Sequence, residues 1–154
     1  MQSDAVELKN LFQNTVLAIN RRDYSQAEVE DWASCGDNLA NIKDMIKTHY
    51  FIVAVNQQSE IVGFSSITPQ GYLHSMFVHK DFQGEGIATI LLNEIEQYAI
   101  TNGIIRITSE VSLTARPFFE KKGYIVEEEQ KRKANQLSLT NFWMAKQMIY
   151  PENL

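Results

Sequence analysis

The chain has 154 residues, a mass of 17.7 kDa and a formal net charge of −5, from 14 basic and 19 acidic residues. That length suits one domain and is short for two, so a single domain over residues 1–154 is expected. The acidic balance excludes a broad basic face for nucleic-acid phosphates, and the lone Cys35 excludes an internal disulfide or a thiolate zinc cage.

The apolar runs are strand-sized, well below the roughly 20 residues of a membrane span, and Met1 opens onto polar residues rather than a cationic, apolar leader. Neither nucleic acid nor membrane is expected as a partner, and the cytoplasm is the expected compartment.

From the start of the chain, Leu8, Leu11, Phe12, Val16 and Ile19 recur at helical spacing, which predicts a helix from Ser3 to about Asn20 capped by Ser3 or Asp4. Ser25-Gln26-Ala27-Glu28 has capping-box spacing and opens a second helix presenting Val29 and Trp32. A third spans Asn38 to Lys47, with Ile42, Met45 and Ile46 inward.

The period then changes to that of strands. Tyr50 to Val55 and Ile61 to Ile67 form a hairpin, and after the turn Thr68-Pro69-Gln70-Gly71 a third strand runs from Tyr72 to Val78. The loop His79 to Glu85 leads into a helix from Gly86 to about Thr101, with Ile87, Ile90, Leu91, Ile95 and Tyr98 as its buried stripe and Asn102-Gly103 as its stop. Ile104 to Thr108 reads as a short strand, Thr114 to Lys122 as a short helix, and Tyr124 to Gln130 and Leu137 to Met144 as two closing strands. The whole is an α/β arrangement with a mixed sheet.

One segment carries chemistry. The strand ending Met76-Phe77-Val78 is followed by Gln83-Gly84-Glu85-Gly86-Ile87-Ala88-Thr89 at the start of a helix. Glycines at 84 and 86 let a ligand approach the main chain, and the free N–H groups of the first helical turn favour an anion such as a pyrophosphate. A dinucleotide fingerprint, with Glu110 as the ribose acid, is a rival. Against it, Thr89 stands where the third glycine belongs, and the first glycine lies well beyond the strand end.

Gln83-x-x-Gly86-x-Ala88, with Met76-Phe77-Val78 upstream, resembles the coenzyme-A motif of the GNAT N-acetyltransferases. Ser112 to Tyr124, a short helix ending in Gly123 before an aromatic, is similar to the second half of the GNAT core, and Val62-Gly63-Phe64 to its hairpin strand. The resemblance runs from about Tyr50 to Met144. It implies a mixed, mostly antiparallel sheet flanked by helices and splayed between the strands near 72–78 and 104–108. Acetyl-CoA would lie in that gap as co-substrate, its pantetheine arm along Met76 and Val78 and its pyrophosphate on the amides from Gln83 to Thr89. No metal is implied. The acceptor would be a small-molecule or peptide amine, gripped by the first helices and the Tyr24–Trp32 region, and a homodimer is compatible with this reading. The first strand usual in the family is expected to be short or absent.

The departures fall on the chemistry. Phe119 stands four residues before Gly123, where the family often has a tyrosine acid, and Ser112 stands where an asparagine is common. For a general base the candidates are His74, on the strand at the proposed cleft, and then Glu110 at the end of the next strand. Tyr124 is the candidate to replace the missing phenol, while His49 and His79 read as surface or strand-end residues. A catalytically idle acyl-CoA-binding module is the alternative from another class.

Overall fold

The computed structural model describes residues 4–148. Helix α1 spans Ala5–Ala18 and buries Leu8, Leu11, Thr15 and Val16. Of its two expected caps, Ser3 lies outside the described residues, and Asp4 holds the N-cap position without a side-chain capping bond. Helix α2, Gln26–Ser34, starts on the expected capping box: the Glu28 N–H donates to Ser25 Oγ at 3.1 Å and the Ser25 N–H to Glu28 Oε1 at 2.9 Å. Helix α3 is Leu39–Thr48.

The strands are β1 (Tyr50–Val55), β2 (Ile61–Ile67), β3 (Tyr72–Val78), β4 (Arg106–Ser112), β5 (Ile125–Lys133) and β6 (Ser138–Gln147). Helix α4, Ile87–Thr101, joins β3 to β4, and α5, Arg116–Lys121, follows β4. The sheet order is β1-β2-β3-β4-β6-β5, with β3 and β4 parallel and every other neighbouring pair antiparallel. Among the described residues the chain ahead of β1 is helix and turn.

Helices cover both faces of the sheet. Leu92, Ile95 and Ala99 of α4 pack with Ile67, Leu73, Ile107 and Val111. Leu8 and Leu11 of α1 pack with Ile42 of α3 and Phe64 of β2 on the other side. All seven residues of β2 are therefore buried, each large aliphatic contributing about 1.5–3 kcal/mol of burial free energy.

Three expectations shift. Ile90 is exposed while Leu92 is buried, because the inward row of α4 is Leu91, Leu92, Ile95 and Ala99. The strand expected at Ile104 to Thr108 starts at Arg106 and continues to Ser112. Gly103, at φ 70°, and the Ile104 N–H bond to the Ala99 carbonyl belong to the closure of α4 instead. Finally, β5 carries on through the charged run to Lys133.

The feature that makes the site is the meeting of β3 with β4. Only Tyr72↔Thr108 and Leu73↔Ser109 are paired. Gly71 allows the approach: at φ 96° a Cβ there would lie 2.7 Å from the Arg106 carbonyl oxygen. The ladder ends with Ser109 Oγ donating to the Leu73 carbonyl at 2.8 Å. Beyond that point the strands part.

Candidate active site

The parted strands leave a polar edge. The antiparallel register pairs Phe64 with Phe77 and Ser66 with Ser75, and the His79 N–H bonds the Val62 carbonyl at 2.8 Å. These residues exchange hydrogen bonds with β2, so the alternate residues Met76 and Val78 turn their main-chain groups the other way, into the gap. The Val78 carbonyl is engaged there, accepting from Gln83 Nε2 at 2.7 Å and from Thr15 Oγ1 at 3.0 Å. Gln83 thereby ties the following loop to the strand end. Thr15, from α1, is a contributor that helix periodicity alone marks only as core.

The loop continues the edge as an anion cradle. Gly84 and Gly86 have φ of 76° and 83°, and a Cβ on either would meet no atom within 4 Å. The space is open for a ligand. Gly86 is the left-handed N-cap of α4, whose 15 residues and acid-free first turn present N–H groups and a positive helix end. Ile87, Ala88 and Thr89 form that turn, and Glu85 is exposed between the glycines. These residues fit a coenzyme-A pyrophosphate. Thr114, at the start of the second block, carries a buried hydroxyl with no hydrogen-bond partner, an oxygen that a bound ligand would satisfy.

A cavity of about 930 Å³ joins this edge to the face under α1, α2 and α3, and His74, Met76, Glu110, Thr114 and Phe119 are among its lining residues. A β-bulge at His74, where the pairing slips between Ser66↔Ser75 and Ile67↔Leu73, breaks the period-two alternation that would put 72, 74, 76 and 78 on one face of a regular strand. Met76 packs with the cluster around α4, whereas Phe77 crosses to the face of Phe12 and Trp32.

The His74 ring is open to water along the cleft, with protein on its other sides. That enclosure first, and the like charge of His49 second, hold its pKa below the ordinary value of 6.5. Its ring lies 5.4 Å from His49 and 5.9 Å from Tyr72. Glu110 is within β4 rather than at its end, and its Oε1 accepts from Arg132 Nε at 3.1 Å. Burial, reinforced by Glu110, pushes the Tyr72 phenol up to about 12.

Tyr124 is elsewhere. It is 2% exposed in the core, and its Oη donates to Glu96 Oε2 at 2.8 Å. Burial first, then the Glu96 charge, raise its pKa far above the phenol range. An aromatic after the helix-ending glycine packs here against Phe119, ring to ring at 5.1 Å, and does not line the cavity. Ser112 Oγ is spent on the turn, accepting the Ala115 N–H at 3.0 Å.

The contacts of two residues in the Tyr24–Trp32 region, which the resemblance assigns to the acceptor, were not legible in the sequence. Tyr24 Oη donates to the Thr140 carbonyl at 2.6 Å and accepts the Leu113 N–H at 2.9 Å, bridging β6 and the end of β4. Asp31 of α2 accepts the N–H groups of Asn135, Gln136 and Leu137 at the tip of the β5–β6 hairpin. Partial desolvation pushes its carboxyl up, but these bonds and Lys133 outweigh it and the pKa falls. Neither contact follows from local sequence, because each joins segments about a hundred residues apart.

Among the described residues no group of three histidine, cysteine or acidic side chains is placed to hold a metal, and no helix is long and apolar enough to cross a membrane.

The family model for the acetyltransferase (GNAT) domain matches residues 20–146. The chain belongs to the GNAT acetyltransferase family, and with it to the acetyl-CoA-dependent acetyltransferases. It is 26% identical over 141 residues to the uncharacterized N-acetyltransferase YafP of Escherichia coli (strain K12), covering 92% of this chain and 88% of that one. Among solved structures it superposes on a GCN5-related N-acetyltransferase from Rhodopseudomonas palustris with a TM-score of 0.91 at 27% identity, over 96% and 91% of the two chains. The PaiA N-acetyltransferase of Thermoplasma acidophilum, solved in complex with coenzyme A, shares the fold with a TM-score of 0.78 at 18% identity, over 95% and 94%. The mixed, mostly antiparallel sheet expected from the sequence is the GNAT fold.

Proposed function

We propose that this protein transfers the acetyl group of acetyl-CoA to an amine by direct attack within a ternary complex. The observation that carries the reading is the continuous polar edge from Met76 and Val78 to the Gly86 start of α4, which opens onto a cavity holding an imidazole.

The main-chain groups of Met76 would bond the pantetheine arm as a further strand would, and the amides from Gln83 to Thr89 would receive the pyrophosphate. The amine nitrogen attacks the thioester carbonyl: the C–N bond forms, the C–S bond breaks and coenzyme A leaves as thiolate. His74 takes the proton lost by the nitrogen, since its lowered pKa keeps the imidazole neutral at working pH. The Val78 N–H, turned into the gap, would then meet the charge that builds on the carbonyl oxygen. Glu110 helps hold Arg132 at the cavity edge rather than acting as base, because its carboxylate is already paired.

Release of the coenzyme thiol, followed against a panel of small-molecule and peptide amines, tests this. Amine-dependent release supports transfer. Calorimetric binding of acetyl-CoA with no release against any amine would leave an acyl-CoA-binding module instead.

A further inference from the structure

We infer that His49 is a positioning residue for the transfer, joined to His74 as a two-imidazole pair on one wall of the cavity. The inference rests on the reading of His74 as the base. His49 is the residue that ends α3, and His74 lies at the bulge of β3, so the fold brings the two together from separate elements. Their ring centroids are 5.4 Å apart at 62°, and both rings line the same cavity.

His49 is not merely near. Its Nδ1 lies 3.3 Å from Ser66 Oγ, which shares a 2.7 Å hydrogen bond with Ser75 Oγ, next in sequence to His74. Ser65 Oγ in turn donates to the Ser75 carbonyl at 2.7 Å. Ser65, Ser66 and Ser75 are all buried. Buried hydroxyls are costly unless bonded; the Ser75–Ser66 hydroxyl pair ends on the His49 ring, and Ser65 separately anchors the Ser75 main chain. Together these bonds fix the His49 ring and the β3 backbone beside His74 as one unit.

The charges around the pair are few. Asp44 of α3 acts on His49 and raises its pKa, while burial, the larger influence, lowers it. Tyr72 of β3 touches His74, and Glu110 of β4 with Arg132 of β5 line the same cavity as an ion pair. Two imidazoles this close, half out of water, resist being charged together. A proton on either ring therefore disfavours one on the other, so the charge on His49 sets how far pH must fall before His74 is lost as a base, and their titrations belong to the pair.

The test uses the imidazole Cε1–H signals, because the chain has only three histidines and substitution assigns each. His49→Phe keeps a ring against His74 and removes the charge. The His74 midpoint should rise by about half to one pH unit, the size of a screened like-charge interaction at this spacing, and the acid limb of kcat/KM should rise with it. KM for the amine should change little. His49→Gln, which keeps a hydrogen-bonding group for Ser66 but no charge, should give the same midpoint and covers the case in which the phenylalanine variant does not fold. An unmoved His74 midpoint in a folded, active variant overturns the inference and leaves the transferase reading standing. A shifted midpoint with wild-type kcat/KM at every pH shows instead that His74 is not the base, and the positioning role falls with it.

Discussion

The two sides of the cleft, one proposed for the coenzyme and the other for the acceptor, are built of different materials. The first is main chain: the edge of Met76 and Val78, two left-handed glycines and the first turn of α4, all within residues 76–89. The second is side chains from separated segments, with Tyr24, His49, His74, Glu110 and Arg132 all reaching one cavity. A backbone site needs only local conformation and glycine. A side-chain site needs the fold to be complete, and it can change its residues without changing the sheet. The two sides should therefore fail differently when substituted.

The sharpest break is Gly86→Glu. The open space over this glycine is where the phosphate is expected, and a carboxylate would occupy it and repel the charge. Acetyl-CoA binding should be lost to calorimetry. The left-handed φ of 83° adds about 1–2 kcal/mol of strain for a non-glycine residue, so a melt should show a folded but weaker protein. Full affinity in that variant would remove the coenzyme from this loop.

On the other side, His74→Ala should lower kcat about a hundredfold, at the modest end of general-base effects, with acetyl-CoA affinity nearly unchanged. In the wild type the acid limb of kcat/KM should lie below the ordinary imidazole value, because burial and His49 hold the His74 pKa below 6.5. The stability effect has a definite sign. A depressed histidine pKa means that the unfolded chain binds more protons, so stability is highest above about 6.5 and declines as pH falls below it. His74→Ala should soften that acid decline, which melting curves across pH would record. A pH–rate profile identical in variant and wild type would make His74 structural.

A third change tests the scaffold of the acceptor side. Tyr24→Phe leaves the ring against Trp32, whose centroid is 5.8 Å away, but removes the oxygen that meets the Leu113 N–H and the Thr140 carbonyl. Leaving those groups unpaired costs about 1–3 kcal/mol, or a few degrees of Tm at roughly 2–4 °C per kcal/mol for a chain of this size. KM for the amine should rise while acetyl-CoA affinity holds. An unchanged melt would mean that water replaces the phenol.

The same contrast explains what the sequence disclosed. The capping box at Ser25, the glycine stop at Gly103 and the strand-loop-helix at 76–89 are local patterns, and the structure realises each one. The order of elements was legible for the same reason. The start of β4 was misplaced because the pair Ile104-Ile105 mimics a buried strand start, and its end was cut short because the real strand, Arg106 to Ser112, alternates between more exposed and buried positions. The bulge at His74 and the Ser66–Ser75 contact depend on how β2 and β3 register, which no single segment encodes. His49 looked like a strand-end residue, and only the packed sheet brings it to His74. Tyr124 shows the reverse case: its chemistry suggested an acid, and the fold uses it as core.

The smallest effect is expected at Phe119, where this chain departs from the tyrosine common in its family. Phe119 is 3% exposed, with its ring edge-on to Phe118 at 5.4 Å and to Tyr124 at 5.1 Å. Its ring also borders the cavity, so a phenol there would point at the cleft or into the core according to how the ring settles. If protonation of the departing thiolate limited the rate, Phe119→Tyr should raise kcat strongly. A coenzyme thiol with a pKa near roughly 8.5 leaves readily without an acid, so the gain should stay below about tenfold, equivalent to roughly 1.4 kcal/mol of barrier. The buried hydroxyl would cost about 1–3 kcal/mol of stability where it finds no partner, and a partner is scarce in an aromatic cluster of this kind. Paired kcat and Tm measurements separate the two effects. A lower Tm with kcat nearly unchanged is the expected result and makes Phe119 a core residue that the reaction tolerates. A hundredfold gain in kcat would show that proton delivery to sulfur is what this site lacks, and that the wild-type chain is better suited to holding acyl-CoA than to spending it.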